Sequence, residues 1–240
     1  MKTDRPILVT GPPRSGTTFL DAIGGGRHGY TRDVERNDLW DAALPVLALF
    51  ARLRRIYPVL NLPPAGRTRK ALLAALTAGL GKRRLLTKSP SHVARLGALR
   101  GLWPDARIVA IVRAGEDVAA SLIEHGSAQR ANPHLPLASA EGIGLLGRRF
   151  RRGMELLAAH ADAVRFVRYE RLVADPPDEA AAVLDHCGLA AGEYLAGLRA
   201  RPPRPWQTRI PHELHEPLAA AMRPGNELAA QLAGEAPCPR

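Results

Sequence analysis

Cysteine is nearly missing from this chain of 240 residues: only Cys187 and Cys238 are present, matching neither a paired framework nor a metal-ligand spacing. That removes the disulfide-stapled and zinc-ribbon classes and points to a reducing compartment, the cytoplasm. Long apolar runs are missing too. No stretch approaches the about 18 apolar residues of a membrane span, so none is expected. The first apolar run, Ile7-Leu8-Val9, follows Met1 so closely that no signal peptide is expected. Aromatic residues make up only 5%, with no aromatic run between basic residues to stack nucleic-acid bases. Lysine is the last scarcity, with Lys2, Lys70, Lys82 and Lys88 the only four among 34 Lys+Arg.

What is plentiful is arginine. The 34 Lys+Arg stand against 23 Asp+Glu, a formal net charge of +11, which favours anionic partners such as nucleic acid, acidic polysaccharide or a phosphorylated small molecule. A GC-rich genome raises arginine and alanine together and explains the same surplus without a partner, so charge alone selects no function. At 46% hydrophobic and 24% charged, the chain is an ordinary globular one, long enough to bury a core without staples.

Four short apolar or β-branched runs stand out, at 7–10, 85–87, 107–112 and 163–168. Helix-period segments lie between them, at 17–23, 38–55, 69–80, 91–102, 117–124 and 140–160. Strands alternating with helices predict crossover units and a parallel sheet. The run Ile108-Val-Ala-Ile-Val112 is apolar on every residue, as suits a strand covered on both faces. Ser91 reads as a helix cap after Pro90, and Pro104 stops the chain after Trp103. Gly24-Gly25-Gly26 and residues 132–136 read as loops, residues 201–205 as a stiff connector, about Glu213 as the start of a last helix, and the tail after 234 as loose. One α/β domain over 1–240 is the simplest account.

The strongest local signal follows the first strand. Gly11-Pro-Pro-Arg14-Ser-Gly16-Thr-Thr18 carries the G-x-x-x-x-G spacing of a phosphate-cradling loop between strand and helix. Backbone N–H groups around Ser15 and Thr18 converge on an oxyanion there, and the helix that follows adds positive potential. A nucleoside triphosphatase would continue Gly-Lys-Ser/Thr and place an Asp at a neighbouring strand end to hold Mg²⁺. Here Thr17 takes the lysine slot, and Lys88, Arg113 and Arg168 stand at or just past the strand ends. That pattern suits a polyanion bound without a metal. It speaks against a kinase with an altered loop, and the scarcity of aromatics speaks against a non-catalytic nucleic-acid binder.

In four blocks the chain resembles the sulfotransferases that use 3′-phosphoadenosine 5′-phosphosulfate, especially the protein-tyrosine sulfotransferase and bacterial branch. The blocks are the loop continued through Phe19-Leu20; Leu86-Thr-Lys88-Ser-Pro-Ser-His92; Trp103-Pro-Asp-Ala-Arg107 through Arg113 to Ser121-Leu122; and Val167-Arg-Tyr169-Glu-Arg-Leu-Val173 with Asp175-Pro176. The resemblance implies a P-loop three-layer sandwich with a central parallel sheet of about four to five strands flanked by helices. It implies that Arg14, Ser15, Gly16, Thr17, Thr18 and Phe19 hold the 5′-phosphosulfate. Arg113 and Ser121 would hold the 3′-phosphate, with Tyr169 flanking the same end of the nucleotide. Lys88 would assist the leaving phosphate beside Arg14, and no metal is implied. In the tyrosine-sulfating branch a glutamate lies 21 residues after the loop arginine, which lands on Glu35 as the base; Asp33 and His92 are the alternatives. Two departures stand out. Ala114-Gly115 replaces the family's Asp-Pro, and a C-terminal basic residue before a Trp is matched only loosely by Arg201, Arg204 and Trp206.

The acceptor is left open among small molecules, carbohydrate, peptide tyrosine and lipid, with no nucleic-acid partner. The apolar stretch 44–62, with Trp40 nearby and Phe50 and Tyr57 within it, reads either as a pocket wall or as ordinary helix packing. The chain is short enough for the acceptor pocket to be completed by a second copy, so a homodimer is admitted.

Overall fold

A computed structural model of the chain describes residues 5–17, 30–32, 84–125, 136–189, 200, 202 and 204–234. The expected helices at 38–55 and 69–80 lie outside these residues, as do the expected helix at 17–23 beyond Thr17, the triple-glycine loop and the tail from 235.

Among the described residues five strands form one sheet, β1 (Ile7–Thr10), β2 (Tyr30–Arg32), β3 (Arg84–Lys88), β4 (Arg107–Val112) and β5 (Val164–Arg168). Their order is β2-β3-β1-β4-β5, and every neighbouring pair is parallel. β1 and β4 have the limits expected from sequence, and β3 and β5 differ by a single residue at their ends. β2 was not anticipated. Three residues at a sheet edge are too few to show a period, and only pairing with β3 makes them a strand.

The central strands read apolar throughout because both of their faces are covered. Leu8, Ile108, Ala110 and Val112 face one helical layer, and Ile7, Val9, Val109 and Ile111 face the other. The first layer holds a 3-10 helix (Pro90–Arg95), α1 (Leu96–Leu102), α2 (Gly115–His125), α3 (Ala140–Ala158) and, last in the chain, α6 (His215–Leu232). The second holds α4 (Tyr169–Ala174) and α5 (Pro176–Cys187). The three-layer α/β sandwich is therefore present.

Caps agree with local chemistry, with one correction. Ser89, not Ser91, caps the segment after β3, its Oγ accepting the Ser91 N–H at 3.1 Å, because Pro90 occupies the first helical turn. The continuous helix expected over 91–102 is a 3-10 helix followed by α1. Helix α5 begins at Pro176 and is capped by Gly188, whose φ of +67° is the left-handed conformation glycine tolerates. Helices α3 and α6 approach closely through small residues. A Cβ on Gly147 would lie 2.5 Å from the Ala221 carbonyl oxygen, and one on Gly225 would run into the Phe150 ring.

Candidate phosphate-binding site at the carboxyl edge of the sheet

The chain leaves β1 for β2 and β3 on one side, then crosses to β4 and β5 on the other. Such a reversal opens a crevice beyond the carboxyl ends of the strands, where open α/β sheets bind ligands. Two hydrogen bonds join the ends of β1 and β3 there: Thr10 Oγ1 donates to the Ser89 carbonyl at 3.0 Å, and the Ser89 N–H donates to the Val9 carbonyl at 3.1 Å.

The loop after β1 has positive φ at three residues, Gly11 (+147°), Arg14 (+69°) and Gly16 (+102°). Positive φ at Arg14 and Gly16, on either side of Ser15, is the backbone pattern from which anion nests are built. Space also demands the two glycines. A Cβ on Gly11 would collide with the Ile111 carbonyl oxygen, and one on Gly16 would sit 2.5 Å from the Tyr169 ring. Ser15 is fully buried, and both its N–H (3.1 Å) and its hydroxyl (2.7 Å) donate to the Pro12 carbonyl, so the hydroxyl closes the turn. Thr17 is buried where the chain turns helical.

The other candidates gather around this loop. Lys88 ends β3 and is 8% exposed; His92, one turn on, is 3% exposed. Burial, reinforced by the charge of Arg95, pushes the His92 imidazole down to about 4. It is therefore neutral at physiological pH and a poor proton acceptor for a hydroxyl. Arg113 follows β4, with its guanidinium carbon 4.2 Å from the Tyr169 ring centroid and one nitrogen 3.3 Å from the Asp117 carboxylate. Arg14 turns towards α2: its Nε donates to Ser121 Oγ at 3.0 Å, and a terminal nitrogen lies 3.0 Å from His125 Nε2. His125 Nδ1 faces the Ser121 carbonyl at 2.9 Å. A carbonyl only accepts, so Nδ1 carries the proton and Nε2 takes the Arg14 N–H. Residues assigned by resemblance to opposite ends of the nucleotide, Arg14 and Ser121, are thus in direct contact.

Four residues of this cluster, Arg209, Glu170, Asn226 and His125, were not singled out from sequence. Arg209, 6% exposed, meets Glu124 with two nitrogens (3.1 and 2.6 Å) and Asp117 with a third (3.5 Å). The Arg209 hydrogen bond holds the Glu124 carboxyl below its usual range, whereas burial pushes Asp117 up against the pull of Arg113 and Arg209. Among the described residues of the C-terminal segment, Arg209 is held against α2, while Arg204 is exposed. The Ala114-Gly115 turn is held by Glu170, whose carboxylate accepts the Ala114 N–H at 2.8 Å, and by Asn226, whose Oδ1 accepts the Gly115 N–H at 2.8 Å. Asn226 also donates to both oxygens of Glu116, at 3.0 and 2.9 Å. Only His125 had a local signal, four residues after Ser121 on one helix face. Thr18, Phe19, Asp33, Glu35 and Arg201 lie outside the described residues.

The sulfotransferase family profile matches residues 46–193. That span includes the blocks carrying Lys88, Arg113, Ser121 and Tyr169 and leaves out the loop at 11–18. No curated protein sequence matches significantly. Among solved structures, a sulfotransferase of Alicyclobacillus acidocaldarius aligns over 97% of both chains with a TM-score of 0.59 at 15% identity. One from Mycobacterium avium covers 92% of this chain and 76% of its own (TM-score 0.60, 14% identity). The sulfotransferase domain of the Synechococcus PCC 7002 olefin synthase covers 98% and 95% (TM-score 0.54, 21% identity). At these identities the likeness is one of fold. The profile match spans more than half of the residues, and the chain belongs to the sulfotransferase family.

Proposed function

We propose that the chain moves a sulfuryl group from 3′-phosphoadenosine 5′-phosphosulfate to a hydroxyl or amine acceptor by in-line displacement. The observation that carries this reading is the loop of residues 11–17, with positive φ at Gly11, Arg14 and Gly16, set between the cations that end β3 and follow β4, Lys88 and Arg113. The donor is anionic at both ends, and a loop of that backbone pattern beside fixed cations favours such a ligand. In this reading the loop from Arg14 to Phe19 holds the 5′-phosphosulfate. Arg113 and Ser121 hold the 3′-phosphate, Tyr169 flanks it, and Arg204 approaches from the C-terminal segment.

Chemically, the acceptor oxygen forms a bond to sulfur while the bond from sulfur to the bridging oxygen breaks. The nucleotide leaves as 3′-phosphoadenosine 5′-phosphate. Lys88 stabilises the charge growing on the bridging oxygen. The acceptor proton passes to a carboxylate, with Glu35 the first choice and Asp33 the second. His92, being neutral, serves as a hydrogen-bonding group. The chain works as one domain, without a metal, in the cytoplasm.

Calorimetry with 3′-phosphoadenosine 5′-phosphate, paired with an assay of sulfuryl transfer to an acceptor panel, tests the reading. Binding should be lost in Arg113→Ala, whereas Lys88→Ala should lower turnover by about 100-fold or more. No heat of association in the unaltered chain would overturn the proposal.

A further inference from the structure

We infer that the acceptor is an apolar molecule carrying a carboxylate remote from its hydroxyl, seated in a cavity between α2, α3 and the 3-10 helix; this deepens the sulfuryl-transfer reading and rests on it. The cavity has a volume of about 530 Å³, within the range of small-molecule sites. Its lining includes Pro12 and Pro13 of the loop after β1 and Pro90, two residues beyond Lys88. An occupant therefore abuts the two segments assigned to the transferring group. Val118 and Leu122 of α2 and Phe150 and Leu156 of α3 supply apolar walls.

The charged residues among its described lining are three arginines of α3, Arg148, Arg149 and Arg152, with no acidic side chain among them. Arg152 lies 3.4 Å from the Glu155 carboxylate, which also takes Arg151. Arg148 and Arg149 are exposed and have no hydrogen bond or ion pair among the described residues. An apolar chamber with two uncommitted guanidinium groups at its edge is complementary to a hydrocarbon body ending in one carboxylate. Burial of the body supplies affinity, and the planar fork of arginine suits a carboxylate bidentately. A neutral apolar acceptor would leave those cations unanswered. During transfer the hydroxyl oxygen bonds to sulfur, the bridging bond breaks, its proton goes to the base, and the remote carboxylate is unchanged.

The test titrates the full chain by calorimetry with ω-hydroxydecanoate and with the corresponding uncharged diol. The acid should bind at least about tenfold more tightly, and the Arg148→Gln, Arg149→Gln double variant should erase that preference without weakening the diol. Gly153 lines the cavity, and a Cβ there meets nothing within 4 Å. Gly153→Phe should place a ring in that space and weaken both probes at least about tenfold, while affinity for 3′-phosphoadenosine 5′-phosphate stays unchanged and reports an intact fold. Equal binding of acid and diol, no binding of the acid, or undiminished binding in Gly153→Phe overturns the inference. Nucleotide binding is read separately. A chain that binds the nucleotide and not the acid refutes the inference alone, and one that binds the acid and not the nucleotide refutes the donor assignment alone.

Discussion

Arg14 holds a backbone conformation, φ +69°, that L-residues other than glycine occupy at a cost of about 1–2 kcal/mol. Its side chain meets Ser121 and His125, so strain and contact reside in one residue. The two separate by substitution. Arg14→Gly should keep or raise the melting temperature, since relief of strain offsets the lost hydrogen bonds. Arg14→Ala keeps the strain and should melt lower. Both should weaken 3′-phosphoadenosine 5′-phosphate by at least about tenfold. Equal melting temperatures for the two variants would show that the loop is unstrained.

His92 gives a second single-residue expectation. Its imidazole is lowered from 6.5 to about 4 in the folded chain, so the unfolded state binds the extra proton between those values. Stability contributed by the neutral ring is complete above pH 6.5 and is lost as pH falls towards 4, by about 3 kcal/mol in all. Urea denaturation across that window should show the decline. His92→Gln should flatten it, and an equally steep decline in the variant would remove His92 as the cause.

Among the elements, α2 begins on a turn that its own sequence does not secure. Ala114-Gly115 has no capping side chain, and its N–H groups are taken by Glu170 of α4 and Asn226 of α6. Gly115 is needed because a Cβ would lie 2.7 Å from the Phe150 ring. Asn226→Ala removes an acceptor for Gly115 and both donors to Glu116, and should cost about 1–3 kcal/mol with an unchanged denaturant slope. Because the turn sets the path from Arg113 into α2, nucleotide affinity should fall with it. Full affinity in Asn226→Ala would separate the turn from the site.

For the molecule as a whole, the surplus of +11 acts through its field. It raises the local concentration of an anion near the crevice, an effect that salt screens over about 10 Å at 0.1 M. Affinity for 3′-phosphoadenosine 5′-phosphate should therefore drop as salt rises from low to physiological concentration. An affinity indifferent to salt would leave the charge surplus without a part in donor binding.

How much of this was legible beforehand depends on how local each cause is. β1 and β4 could be bounded to the residue because burial on both faces writes an uninterrupted apolar run. The loop was visible because a tight turn needs Gly11 and Gly16 at fixed spacing, and Lys88 and Arg113 were visible as cations beside strand ends. The edge strand β2 escaped notice, as did α4 and α5, although Pro176 and Gly188 mark the ends of α5. The cluster about the loop was illegible for a different reason. Asn226 meets Gly115 across 111 positions, Glu170 meets Ala114 across 56, and Arg209 meets Glu124 across 85. Sequence alone carries the strand cores, the glycine-spaced loop after β1 and the sign of the charge, because each follows from neighbouring residues or from composition. Folding alone brings Arg14 onto Ser121, sets Arg209 against α2 and opens an arginine-edged apolar cavity beside the loop. Contacts between distant segments leave no period along the chain.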